Sequence, residues 1–282
     1  YYVCCLKHNF KFSPYLGSFI NEFLGNKLQQ GGLEGGKPLS PAYVRTMALI
    51  LNAAFNYAAA EEFCSPLKTE IFKPAVKQPK VSNLSHREYN HLRQYCQKHL
   101  NVTSLGILIA LGAGLRVGEI CALRWEDVDS DNRLLCVNHT VSRISDDQGK
   151  CRWIIELPKT MSSIRVVPIS DALMDALLQV RENSDSDYIV SDCKSFTNPR
   201  TFEYRYHREL SASRVTEVNF HALRHTFATR CVEGGMDIKT LSEILGHSNV
   251  SITLNTYVHS SLELKKRQVE KVERFFQERG QD

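Results

Sequence analysis

The segment His221-Ala222-Leu223-Arg224-His225 sets an imidazole and a guanidinium three residues apart. Positions i and i+3 share a helical face, so this segment offers a fixed cation beside a group that titrates near neutral pH. Leu223, Phe227 and Cys231 fall on another face and would anchor such a helix in a core. In Gly114-Leu115-Arg116-Val117-Gly118-Glu119, the flanking glycines let the backbone turn tightly around Arg116, with Glu119 one turn on. Leu245-Gly246-His247 places a histidine just past a helix-terminating glycine. Tyr257 follows ten residues after His247, in Asn255-Thr256-Tyr257-Val258-His259. Lys159 falls in a connection between two predicted strands. Taken singly, each has a plain structural alternative: a surface helix, a surface ion pair, a capping histidine, a core tyrosine on the Val250/Leu254 face, an exposed lysine at a hairpin tip.

The elements that would carry these residues are legible in outline. Ser40 and Pro41 read as the N-cap and first position of a helix whose apolar side is Val44, Met47, Leu51, Ala54, Phe55 and Ala58. Phe19, Phe23 and Leu24 suggest an earlier helix ending near Gly25. Residues 1–72 therefore read as a small helical unit. Residues 73–84 hold two prolines and three lysines without periodicity, a linker. Ser85-His86-Arg87-Glu88 is a capping box that opens a second unit, 85–282. Residues 104–111 read as a buried helix broken by Gly112 and Gly114, with a short helix to about Leu123 after Arg116. Residues 134–142, 152–157 and 164–169 read as a three-stranded antiparallel meander, with Lys159 between its second and third strands. Helices are expected over 171–181, 201–210, 220–233, 238–245 (capped by Asp237), 250–258 and 262–279. The fold class is mainly α with a small antiparallel sheet.

The chain has 282 residues, of which 43% are hydrophobic and 23% charged, which excludes a disordered or collagen-like polymer. All of the net charge of +4 lies in residues 1–80, where 9 Lys/Arg face 5 Asp/Glu, a pattern that suits a polyanion-facing module as well as a solvated basic face. Lys73, Lys77 and Lys80 in the linker are candidate DNA contacts. No apolar run is long enough to span a membrane, and no secretory leader is visible. The start at Tyr1 suggests a fragment of something longer. The 9 cysteines are irregularly spaced and contain no C-x-x-C, so neither a disulfide framework nor a metal site is expected, and a reducing cytoplasm fits.

Together and in this order, the motifs resemble the tyrosine recombinase (phage integrase) family. The match is Gly-Leu-Arg-x-Gly-Glu at Arg116, the lysine at Lys159, His-x-Leu-Arg-His at His221 and Arg224, Leu-Gly-His at His247 and Thr-Tyr-x-His at Tyr257. It covers roughly residues 80–275, with a weaker likeness of 12–72 to the family's helical core-binding domain; a glycine-rich loop at 31–36 and residues 1–12 depart from it.

The resemblance implies a mixed α/β catalytic domain and a DNA transesterification. Tyr257 would attack the scissile phosphate to give a 3′-phosphotyrosine, Arg116 and Arg224 would clamp the non-bridging oxygens, and Lys159 would protonate the leaving 5′-oxygen. His221 would assist proton transfer near the tyrosine, His247 would hydrogen-bond the phosphate, and Glu119 would brace Arg116. His225 and His259 are read as supporting the site from behind the reacting groups or as structural. One phosphodiester replaces another, so no cofactor, ATP or metal is needed. The resemblance further implies double-stranded DNA as partner, a homotetramer on two duplexes with accessory bending or directionality factors, a C-terminal helix at 262–279 that docks on a neighbouring protomer, and a bacterial, nucleoid-associated integrase of a mobile element. A type IB topoisomerase-like relaxing enzyme and a non-catalytic DNA-binding protein on the same fold are the alternatives.

Overall fold

The computed structural model describes residues 16–31, 36–67, 69–76, 83–146, 148–158 and 161–257, together with 266, 269, 270, 273 and 276. The chain divides into two compact units, Tyr1–Lys80 and Val81–Asp282.

In the first unit, α1 (Leu16–Gln30) packs on α2 (Pro41–Ala60). Ser40 caps α2, its hydroxyl accepting from the Tyr43 N–H, and Pro41 fills the position where a missing N–H costs nothing. Ile20 and Leu24 of α1 meet Val44 and Ala48 of α2, with Ile71 from the segment that follows. Helix α1 runs through Gly25 to Gln30, past the expected end, because Leu28 still packs against this core.

The second unit is built around α4 (Val102–Ala113), the apolar run expected to be buried. It packs against α3 (His86–Lys98), α6 (Asp171–Arg181), α7 (Pro199–Ala212) and α8 (His221–Glu233). Ser85 and Glu88 form the reciprocal capping box at the start of α3. Gly114 ends α4 in the left-handed region, φ +66°, where a side chain would strike the Phe227 ring. The chain then turns into α5 (Val117–Ala122). Helices α9 (Ile238–Leu245) and α10 (Val250–Tyr257) close the unit over a small cluster of Ala228, Val232, Leu241, Leu245 and Tyr257. No described helix is long and apolar enough to cross a membrane.

The strands depart from the expected meander. Residues 134–142 split into β2 (Leu134–Val137) and β3 (Thr140–Ser145), which belong to different sheets. A short β1 (Val128–Asp129), β2 and β5 (Arg165–Pro168) form one antiparallel sheet, with Leu135 opposite Val167 and Val137 opposite Arg165. β3 and β4 (Cys151–Glu156) form a separate hairpin, with Val141 opposite Ile155. Strand propensity finds the segments but not their partners, which packing selects. The connection holding Lys159 therefore joins two sheets rather than forming the tip of a hairpin; Lys159 itself lies outside the described residues, as do Lys77 and Lys80. Lys73 is exposed. Most of 262–279 is likewise outside.

Candidate active site

Arg116 is the N-cap residue of α5, and Glu119 sits in that helix's first turn. The Glu119 carboxylate accepts from the Arg116 backbone N–H at 2.9 Å and from its Nη1 at 2.7 Å. Glu119 is buried, so the surface ion pair that the spacing allows is instead an internal one. Its other two contacts come from Arg165 at the start of β5, whose Nη1 and Nη2 donate at 3.1 and 2.9 Å. All four lone-pair positions of the carboxylate are thereby used. Burial pushes the Glu119 pKa up, but the hydrogen bonds and charges of Arg165 and Arg116 outweigh it and hold the group below its ordinary value.

Arg224 projects from α8 into the interior and is 2% exposed. Its Nη1 donates to the Gly114 carbonyl at 2.7 Å, and its Nη2 to the Leu245 carbonyl at 2.6 Å and to His247 Nε2 at 3.0 Å. Three of its five N–H donors are spoken for by these contacts, which leaves two for an incoming anion. A guanidinium cannot accept, so His247 Nε2 is the acceptor and the ring carries its proton on Nδ1, which points at Thr253 Oγ1 at 2.8 Å. Burial, followed by Arg224, Arg116 and Arg165, draws the His247 pKa down to about 4, so the ring is neutral at pH 7.

The end of α9 ties these side chains together. Three successive carbonyls accept from three arginines carried on three different elements: Ile244 from Arg165 Nε at 2.5 Å, Leu245 from Arg224 and Gly246 from Arg116 Nη2 at 3.4 Å. A helix C-terminus exposes carbonyls without intrahelical partners and carries partial negative charge, so it offsets the mutual repulsion of clustered guanidiniums. Gly246 makes the approach possible. Its φ is +64°, and a Cβ there would lie 3.0 Å from Arg165 Nη1 and 3.1 Å from the Ser162 carbonyl. Among the described residues, three guanidiniums stand against one carboxylate, Glu119. A site with this surplus is built for an anion.

Tyr257 ends α10 and points inward, 9% exposed, while Val250 and Leu254 face solvent. The expected Val250/Leu254/Tyr257 face is thus not the buried one; Tyr257 and Thr253 turn inward, and Tyr257 joins the Leu241/Leu245 cluster. Burial raises the phenol's pKa, and Arg224 and Arg116 pull against that rise. Its hydroxyl lies 2.7 Å from His225 Nδ1. The ring of His221 meets the His225 ring edge-on, centroids 4.5 Å apart, at the exposed rim of the site. His225, read from the sequence as supporting the site or structural, is the histidine in contact with the phenol. His259 lies outside the described residues. Arg165 carries no sequence signal beyond an arginine opening a strand; its role follows only from the glycine at 246 and the carboxylate at 119.

The sequence pattern described as the phage integrase family matches residues 82–263, well over half of the chain. The chain belongs to that family. It is a tyrosine recombinase, an enzyme class that transfers DNA strands in site-specific recombination. The XerC-like tyrosine recombinase of Caldanaerobacter subterraneus subsp. tengcongensis is 30% identical over 280 residues, covering 89% of this chain and 69% of that one. The transposase from transposon Tn916 of Enterococcus faecalis is 30% identical over 177 residues, 56% of this chain and 42% of the relative. Among solved structures, the Tn1549 transposon integrase in complex with a circular intermediate DNA superposes with a TM-score of 0.70 at 24% identity, covering 91% of this recombinase and 85% of that chain. A lambda integrase tetramer bound to a Holliday junction gives 0.57 at 19% identity, covering 86% and 64%. These likenesses establish the fold of the recombinase.

Proposed function

We propose that this recombinase excises and integrates a mobile element by cutting and rejoining double-stranded DNA through Tyr257. The observation that carries the reading is the cluster in which Arg116, Arg224 and His247 meet at the end of α9, with Tyr257 packed in the Leu241/Leu245 cluster of that helix and its hydroxyl 2.7 Å from His225, the residue after Arg224. The transposase names among its relatives support the mobile-element role.

In the reaction, the scissile phosphate enters as the missing counter-charge. Arg116 and Arg224 bind its non-bridging oxygens, where charge grows in the transition state. Once the phosphate draws Arg224 away from Nε2, the neutral His247 ring can adopt the tautomer with its proton on Nε2, which donates a hydrogen bond to a phosphate oxygen while Nδ1 accepts from the Thr253 hydroxyl. The Tyr257 oxygen forms the new bond to phosphorus, the bond to the 5′-oxygen breaks, and Lys159 protonates that oxygen. A 5′-hydroxyl from a second duplex reverses the step. His221 serves proton transfer from the rim. Four protomers assemble on two duplexes, residues 262–279 dock on a neighbour, and Lys73, Lys77 and Lys80 follow the DNA backbone. Accessory bending or directionality factors set the outcome, and the work is done on bacterial nucleoid DNA in the cytoplasm.

The test is a duplex from the ends of the element that encodes the gene, nicked beside the cleavage position so that the cut fragment diffuses away. The enzyme should be trapped on the DNA, and Tyr257→Phe should not. Relaxation of any supercoiled plasmid by a monomer would favour a topoisomerase instead.

A further inference from the structure

Taking Tyr257 as the nucleophile, we propose that His225 is a further catalytic residue: its Nδ1, 2.7 Å from the Tyr257 hydroxyl, accepts the phenolic proton as the oxygen attacks phosphorus.

A phenol is mostly protonated at neutral pH, and burial of Tyr257 makes its ionisation harder still. The attacking oxygen needs an acceptor within hydrogen-bond reach, and a neutral imidazole is the side chain suited to that task near pH 7. His225 meets the geometric requirement. It lies one residue beyond Arg224 and one turn beyond His221, so α8 fixes the phosphate clamp and the proton acceptor on one rigid element. The groups facing it are Tyr257 from α10, and His221 and Arg224 from its own helix. Its partial burial and the Arg224 charge hold its pKa below the ordinary value, which favours the neutral ring; in the tautomer with its proton on Nε2, Nδ1 accepts from the Tyr257 hydroxyl. The balance of the step is simple: the O–H bond of Tyr257 breaks as its oxygen bonds to phosphorus, the proton passes to His225 Nδ1, and the 5′-oxygen leaves with a proton from Lys159. In the reverse step, imidazolium returns the proton to the departing phenol. His221, expected from the sequence to assist the tyrosine, meets the His225 ring from the solvent rim, so His225 is the first acceptor of the proton and His221 stands behind it.

The experiment compares full-length parent, His225→Ala, His225→Asn and Lys159→Ala in single-turnover cleavage of the nicked duplex, and of the same duplex with sulfur replacing the 5′-bridging oxygen. Sulfur leaves without protonation, so it relieves loss of an acid but not loss of a base. Both His225 variants should cleave about 10²-fold more slowly at neutral pH, recover as pH rises toward the phenol range, and stay slow on the sulfur substrate. Lys159→Ala should be rescued by sulfur. His225→Asn can accept the hydrogen bond but cannot take the proton, so a parental rate in that variant would reduce His225 to a positioning role and overturn the proposal. Sulfur rescue of the His225 variants, or cleavage faster than the parent, would also overturn it. Thermal melting and binding to intact duplex identify a misfolded Ala variant, in which case the near-isosteric Asn variant carries the test. Absence of any adduct with the parent, or an adduct with Tyr257→Phe, would instead defeat the assignment of the nucleophile.

Discussion

Arg165 and Glu119 meet in a two-pronged ion pair inside the catalytic unit, with N–O distances of 3.1 and 2.9 Å and side-chain exposures of only 6% and 4%. The pair fastens the first strand residue of β5 to α5, and the same carboxylate holds Arg116. Arg165 also reaches the Ile244 carbonyl at the end of α9. One guanidinium thus locks together the elements that bear Arg116 and His247.

Glu119→Gln should be far more harmful than its size suggests. Glutamine keeps one acceptor oxygen of the two, so two of the four hydrogen bonds lose their acceptor, and it leaves two arginines without their carboxylate. Breaking a buried pair by removing one partner costs about 3–5 kcal/mol. Thermal melting should show a lower Tm, and strand cleavage should fall even at temperatures where the variant stays folded. A variant with parental Tm and cleavage would show that the network is not what holds Arg116.

Gly246→Ala tests the approach of the three arginines to α9. A methyl group there meets Arg165 and the Ser162 carbonyl, and the left-handed backbone adds strain of about 1–2 kcal/mol. Both stability and cleavage should drop. Gly149→Ala is the matched control: that glycine also has positive φ, at +76°, but nothing lies within 4 Å of its Cβ position. It should cost stability by backbone strain alone and leave cleavage unchanged.

The half-buried imidazoles give the free protein a pH dependence of defined sign. The pKa of His225 lies below its ordinary value, and that of His247 is near 4. Below pH 6.5 the unfolded chain takes up protons that the folded chain refuses, so stability is complete above that pH and declines as pH falls toward 4. The His221 pKa is also drawn down to about 4, by burial and then by His225, Arg224 and Arg116, and water at its exposed rim position discounts its share of the effect. Tm should fall between pH 7 and pH 5, and His247→Gln should flatten the slope. Bound DNA should oppose the decline, since phosphate favours the protonated rings. A Tm that rises on acidification would contradict the assignment of neutral, partly desolvated histidines.

Much of this was legible in the sequence, for reasons specific to each element. The capping box at Ser85, the stop at Gly246 and the apolar run over residues 104–111 are local signals, and each appears where local chemistry places it. The motifs around Arg116, Arg224, His247 and Tyr257 could be read because each sits at a helix start, a helix stop or on a helical face. The strands could not be assigned to partners, since β2 and β3 share what reads as one strand segment, 134–142, yet join different sheets. Arg165 was invisible as a functional candidate, and His225 could be read only as a supporting or structural residue, because their significance lies in contacts with Glu119, Ile244 and Tyr257, across up to 79 positions of chain. The inward turn of Tyr257 was also hidden: its helix presents Val250 and Leu254 to solvent, against the hydrophobic pattern.

The most direct measurement is mass spectrometry of the species trapped on the nicked duplex from the element's end, after protease digestion. A peptide carrying a nucleotide through a 3′-phosphate on Tyr257, absent from Tyr257→Phe, is the expected result. A DNA adduct on any other side chain, or an equal yield from the phenylalanine variant, would contradict the central claim that this phenol, set beside Arg116 and Arg224, is the group that breaks the DNA strand.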